Sequence, residues 1–237
     1  MRIVALTILL VTGLWTGVAR SSGPEPQYTT DFRLDHCQLL LPNGGNDYFS
    51  LRPGKFLRLE GEEDGESVEV LITVLDQTRD IDFMLNGEMV HARARVIREK
   101  EWVDGELVEI SRNYFTRCAD TGNIYYLGED VDIYEDGEII SHEGAWLAGE
   151  DGAMPGLIMP DVFLLGARYF QEIAPEAMDR AEHVAMDLTV NTPAGEFEHC
   201  VRIKETSPLE PGDVSIKMYA PGVGMIFDDG LKLVDYN

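Results

Sequence analysis

The chain has 237 residues, of which 43 are Asp or Glu and 19 are Lys or Arg, and its formal net charge is −24. Nucleic acids and anionic membrane surfaces are bound by clustered Lys and Arg, so this charge argues against both as partners. The length is sufficient to bury a hydrophobic core without stabilisation by disulfides.

Residues 1–21 predict an export signal. Arg2 supplies a positive charge, the run from 3 to 19 is apolar and uncharged, and small residues at Ala19 and Ser21 offer cleavage positions. These are the features of a cleavable signal peptide. An uncleaved anchor is the alternative, because the run is close to the shortest that spans a bilayer. The polar residues that follow the run argue against it.

Cleavage would leave an exported protein, periplasmic or secreted, with no stable membrane anchor. It removes Arg2 and Arg20 and no acid, so 17 basic residues remain against 43 acids and the formal charge becomes −26. No later segment is long and apolar enough to span a membrane.

The rest of the chain divides into an extended, polar lead-in over residues 22–47 and a single β-rich domain over residues 48–237. Within the run 67–75, apolar residues alternate with other residues, which is typical of a half-buried strand. That stripe consists of Val68, Val70, Ile72 and Val74. Similar stripes are Val108, Ile110 and Tyr114 (with Arg112 interrupting), then Phe197, Val201 and Ile203, and finally Val214, Ile216, Met218 and Ala220.

Dipeptides that favour tight turns lie between the predicted strands. They are Asp64-Gly65, Asn86-Gly87, Asp104-Gly105, Asp136-Gly137 and Asp229-Gly230. Two-residue hairpin turns need positive φ angles, which Asn, Asp and Gly tolerate. Only residues 178–186 offer a modest helix, which could also be a strand edge. The sequence therefore predicts an all-β fold, an antiparallel meander that forms a strongly curved or barrel-like sheet.

Three cysteines remain after export, and an oxidising compartment allows two of them to pair. Cys118 and Cys200 lie in strand-like runs, whereas Cys37 lies in the polar lead-in. We therefore expect a disulfide between Cys118 and Cys200, although spacing alone does not establish a pairing.

The segment 132–143 resembles the twelve-residue calcium loop of EF-hand proteins. Asp132, Asp136 and Glu143 occupy acidic ligand positions, and Gly137 occupies the turn position. Tyr134 replaces one ligand, and the flanks are strand-like. An ordinary Asp-Gly hairpin is therefore the competing interpretation. Calcium is the one cofactor that the sequence indicates.

Residues 144–160 are rich in Gly and Pro but also carry large apolar side chains. We expect this segment to pack on the sheet as a long irregular loop, a kind of segment that often carries function. The side chains predicted to line a ligand site are Trp146, Met154, Leu157 and Met159.

Four short motifs are similar to those of an uncharacterised family of exported bacterial proteins. They are GEDVDIY at 128–134, SHEGAW at 141–146, PGLIMP at 155–160 and YAPGVG at 219–224. The resemblance spans roughly residues 48–233. It implies a bacterial source and one β-rich domain, and it supplies no activity, cofactor or catalytic residue.

The favoured hypothesis is an exported, non-enzymatic protein that holds an apolar small molecule between the curved sheet and the 144–160 loop. One alternative is an envelope protein that binds calcium or another cation through Asp132, Asp136 and Glu143. The other is an extracytoplasmic hydrolase that uses His142 and Glu143. A serine-hydrolase Gly-x-Ser-x-Gly motif and a zinc-protease motif are both absent from the sequence, so no catalytic residue is assigned.

Overall fold

A computed structural model describes residues 26–39 and 43–237 of the chain. The predicted signal peptide, residues 1–21, lies outside this described part. Across the described residues, no helix combines the length and the apolar character that a membrane crossing requires.

The described residues form fifteen strands of one sheet and one short 3₁₀ turn at Leu34–His36. The strands are β1 Phe56–Glu63, β2 Glu66–Leu85, β3 Glu88–Val103, β4 Glu106–Arg117, β5 Ile124–Glu135, β6 Glu138–Ser141, β7 Trp146–Leu147, β8 Met154–Met159, β9 Arg168–Phe170, β10 Glu172–Ile173, β11 Arg180–Thr192, β12 Gly195–Thr206, β13 Ser215–Ala220, β14 Gly224–Asp228 and β15 Leu231–Tyr236.

The sheet consists of two antiparallel meanders that meet at one strand pair. β1 to β5 lie side by side in chain order, and so do β11 to β15. β1 pairs with β15 and joins the two halves, while the outer edges are β10 and β9. Only Gln171 separates these edge strands in the chain, and the sheet curves into a nearly closed barrel. The predicted all-β, antiparallel, barrel-like fold is confirmed.

The turn dipeptides lie where the sequence predicts hairpins. All five pairs have positive φ at both residues, for example 51° at Asp64 and 89° at Gly65. This is the backbone twist that matches a tight antiparallel hairpin. The turns connect β1 to β2, β2 to β3, β3 to β4, β5 to β6, and β14 to β15.

Two segments are more regular than the sequence suggested. Residues 178–186 fall largely within β11, so they form a strand and not a helix. The expected irregular loop 144–160 contains β7 and β8, which pair with β5 in the wall of the barrel. Gly156 permits this arrangement, because a Cβ atom at that position would overlap the backbone of Gln171 beside it.

The expected disulfide between Cys118 and Cys200 is wrong. Cys118 is bonded to Cys37, with the two Cα atoms 5.2 Å apart, while Cys200 is free and buried. The lead-in returns to the β4–β5 connection, where the amide of Ala119 donates to the carbonyl of Gln38 at 3.1 Å. Leu34 and Leu39 of the lead-in are also buried in the core. These contacts place Cys37 next to Cys118.

We predict that Cys37→Ser lowers the free energy of unfolding by about 4 kcal/mol, because the bond restricts a long loop of the unfolded chain. The linked residues are 81 positions apart. Urea unfolding measures the change, and Cys200→Ala is the control, with an expected loss of about 1 kcal/mol. Thiol titration of the unreduced, unfolded protein should find one free thiol. Equal destabilisation by the two variants would contradict the pairing.

Candidate functional site

A cavity of about 240 Å³ lies inside the barrel, between the two meanders. Its apolar wall includes Ile72 and Val74 of β2, Ile97 of β3 and Met225 of β14. Ligand pockets combine such walls with a few polar groups that fix orientation. The polar groups of this cavity come from five strands, β3, β4, β5, β10 and β13, and from the segment before β1.

Strand register determines which side chains share the cavity face. Glu99 of β3 lies directly opposite Ile72 on one side and Ser111 on the other. Directly opposed residues of paired strands point to the same face. On β4 the alternation therefore presents Glu109, Ser111 and Asn113 to the interior.

Four carboxyl groups face this cavity, those of Glu99, Glu109, Glu129 and Glu172. Burial raises the pKa of the Glu99 carboxyl to about 8 and that of Glu129 to about 7. It also raises the pKa of Glu109 and, well above the usual range, that of Glu172. Removing a carboxylate from water favours its protonated form, so the cavity holds acids that are partly neutral at pH 7.

Lys217 of β13 lines the cavity, and it has its own partners. Its Nζ lies 3.0 Å from Oε2 of Glu205 and 3.8 Å from Oδ2 of Asp228. Burial acts to lower the pKa of Lys217, but Asp228 and Glu205 raise it well above the usual value. Gln171 Nε2 donates to the other oxygen of Glu205 at 2.7 Å. Lys217 is therefore charged and already paired.

An aromatic row crosses one wall of the cavity. The ring of Phe115 stacks on Tyr126 at a centroid distance of 4.5 Å and meets Phe49 edge-on at 4.9 Å. Tyr126 continues the row to Trp146 at 5.2 Å. The hydroxyl of Tyr126 donates to Oδ1 of Asn113, which anchors the row to β4. Phe49, Phe115 and Tyr126 line the cavity directly.

The segment 43–55 covers one end of the barrel. The amide of Gly222 donates to the carbonyl of Asp47 at 2.7 Å, and the ammonium of Lys55 reaches the carbonyl of Gly222 at 3.4 Å. The hydroxyl of Tyr48 donates to the carbonyl of His199 at 3.2 Å. This covering segment, and not the 144–160 loop, closes the cavity beside Phe49.

The four side chains predicted as ligand contacts lie outside the lining of this cavity. Strand alternation along β8 turns Ile158 into the cavity, whereas Leu157 and Met159 are packed in the hydrophobic core. Met154 is half-buried on β8 opposite Ile173. Trp146 packs edge-on against Tyr126 and lines a second depression. Their role in ligand binding stays a prediction.

The predicted calcium ligands are not assembled into a site. Oδ2 of Asp132 accepts a hydrogen bond from Arg112 at 2.9 Å, and its Oδ1 lies 3.0 Å from Nδ1 of His142. Asp136 lies in the β5–β6 hairpin turn with a φ of 53°, and Glu143 is exposed beyond it. Within residues 26–39 and 43–237, no three His, Cys, Asp or Glu side chains are grouped to hold a metal ion.

The residues that sequence reasoning missed are Glu99 and Glu109. Each is an acid at a position where strand alternation points inward. The sequence does show an acidic residue within each of these strands. Whether its side chain points into the barrel can be decided only when the register with the neighbouring strand is known.

No known family matches the chain, and no curated protein matches it. One solved structure aligns, a "putative lipoprotein" from Parabacteroides distasonis ATCC 8503. It is 11% identical with a TM-score of 0.34, and the alignment covers 82% of this chain and 100% of that one. This likeness is too weak to carry an argument about fold or function. The resemblance to an exported bacterial family therefore stays a prediction.

We predict that the stability of the wild-type protein falls as the pH rises from about 4.5 to about 8. In this window the folded state keeps the Glu99 proton, whose pKa is raised from 4.5 to about 8, while the unfolded chain has lost it. One such group contributes a slope of at most about 1.4 kcal/mol per pH unit. Glu99→Gln should flatten the profile obtained by urea unfolding between pH 5 and 8.

The control for this experiment is Glu106→Gln, because Glu106 is an exposed acid on the same strand pair. Its profile should match that of the wild type. Parallel profiles for the wild type and Glu99→Gln would contradict the raised pKa of Glu99.

Proposed function

We propose that the protein is an exported, non-catalytic binding protein that holds a small molecule in the cavity inside the barrel. The observation that carries the proposal is the cavity itself, which has aliphatic and aromatic walls and a few convergent polar groups. This is the usual composition of a ligand site in a small curved sheet.

Export is supported from two directions. The sequence predicts a signal peptide over residues 1–21, and the disulfide between Cys37 and Cys118 fits an oxidising compartment. Both features favour the periplasm or the cell exterior as the place where a ligand would be met.

The size of the cavity restricts the ligand. Its volume of about 240 Å³ lies below the range of about 300–1,000 Å³ typical of pockets for drug-sized molecules. The ligand is therefore small, with one apolar portion against Ile72 and Phe115 and polar groups near Glu99 and Ser111.

We predict that the neutral fluorescent dye N-phenyl-1-naphthylamine binds the wild-type protein saturably, with a rise in fluorescence as it leaves water. Ser111→Leu adds an aliphatic side chain where the buried Ser111 lines the cavity. This variant should weaken dye binding at least tenfold, as measured by fluorescence titration.

The matched control is Thr73→Leu. Thr73 lies between two cavity residues of β2, so its side chain points to the outer face of the sheet. It should leave dye affinity unchanged, and circular dichroism should show both variants folded. Absence of saturable binding to the wild type, or equal affinity for Ser111→Leu, would contradict the proposal.

A further inference from the structure

Among residues 26–39 and 43–237, no ion pair joins a carboxyl group of the cavity to a basic side chain. Both lysines that line the cavity are engaged elsewhere, Lys217 with Glu205 and Asp228, and Lys55 with the carbonyl of Gly222. Lys55 also lies 5.5 Å from the ring centroid of Tyr236. Lys217 acts on Glu99, Glu129 and Glu172 at longer range, but burial of each carboxyl has the larger effect. The four cavity glutamates thus form an acidic surface that lacks a dedicated cation.

The aromatic row lies beside these acids. Between β4 and β5, Phe115 pairs with Tyr126, and the neighbouring pair is Asn113 with Glu129. Ring faces attract cations, and the attraction grows when water is excluded. Acids next to aromatic rings, with aliphatic walls around them, are the chemistry that recognises an organic cation.

A second depression, of about 290 Å³, adjoins the cavity, and Glu129 lines both spaces. Its other acidic residues are Asp130, Glu150, Asp151 and Glu176. The one basic side chain in its lining, Arg79, already binds Asp130, with 3.1 Å from Nη1 to each carboxylate oxygen. Clustered charge of one sign raises the local concentration of the opposite charge.

Trp146 lies beside Glu129 at this second depression. It pairs with Glu129 across β5 and β7, lines the depression and is only 7% exposed. Its buried Nε1 has no hydrogen-bond partner in the described part of the chain. An indole N–H only donates and cannot bind an ammonium group, so Trp146 contributes to a cation site through its ring, which meets Tyr126 at 5.2 Å.

We infer that the ligand is a small organic cation, with a protonated amine or quaternary ammonium group on an apolar body. The inference rests on the proposed binding function. The ammonium group lies among Glu99, Glu129 and the ring of Tyr126, and the apolar body lies against Ile72 and Phe115. An inorganic ion is disfavoured, because the described residues contain no group of three ligating side chains for a metal.

The test compares three compounds with one phenylethyl body, namely phenethylamine (cation), 2-phenylethanol (neutral) and phenylacetate (anion). Isothermal titration calorimetry with the mature protein at pH 7 should show the amine binding at least tenfold more tightly than the alcohol. Phenylacetate should give no binding heat. An alcohol that binds as tightly as the amine would overturn the inference.

Glu129→Gln removes, at nearly constant shape, a carboxyl group that a bound ammonium would hold in its charged form. It should weaken amine binding at least fivefold while the affinity for the alcohol stays the same. If Glu129→Gln does not fold, the same two affinities are measured for Glu99→Gln, with the same expected result. The exposed Glu106→Gln is the control and should change neither affinity. An equal loss for amine and alcohol would mean that the glutamate acts on the shape of the cavity and would contradict charge recognition.

The two proposals fail differently. If N-phenyl-1-naphthylamine binds and none of the three phenylethyl compounds does, the cation inference is overturned and the binding function stands. If the dye does not bind either, both are overturned.

Discussion

β1 pairs with β15 through Leu59 and Leu233, and this contact joins two meanders that would otherwise be separate curved sheets. Because side chains alternate along a strand, the join turns one face of every strand toward a common interior. The layer around Leu59 and Leu233 is fully buried and aliphatic. Displacing this one pair would remove the interior that all the cavity side chains share.

Much of the fold could be predicted because its signals are local. A turn such as Asp64-Gly65 needs only its own two φ angles, and several such turns in succession define a meander. The disulfide could not be predicted in this way, because Cys37 reaches Cys118 through a lead-in whose Leu34 and Leu39 pack in a core that local patterns do not describe. Residues 144–160 pair with β5, and Gly156 lets the backbone of Gln171 approach closely; both contacts join segments that are distant in the chain.

The candidate site was missed for a related reason. On β4 the apolar Val108 and Ile110 indicate a half-buried face, yet the cavity takes Glu109 and Ser111 from the opposite face. On β13 it likewise takes Lys217 between Ile216 and Met218. A shift of one residue exchanges the faces of a strand. When the interior is partly polar, an apolar stripe no longer identifies the inward face, and only the register with β2 and β3 does so.

Two kinds of buried titratable group have opposite effects on stability. His183 donates from Nδ1 to the carbonyl of Leu164 and accepts at Nε2 from Tyr169, so it is neutral, and burial lowers its pKa from 6.5 to about 4. Its contribution is present above about pH 6.5 and is lost as the pH falls toward 4. Both ring nitrogens of His183 therefore have hydrogen-bond partners, and its burial lowers the stability of the fold only at acidic pH.

The cavity glutamates behave in the opposite way, because the folded state holds their protons and stability is lost as the pH rises toward neutrality. A fold selected for stability alone would extend the aliphatic layer of Leu59 and Leu233 into this space. Buried groups that break such a rule without an internal partner are typical of functional sites. Tyr126 and Lys217 both favour the charged form of Glu129, and Lys217 acts on Glu99, but neither glutamate forms an ion pair among the described residues. This lack of an ion pair is the ground for the positively charged ligand that we propose.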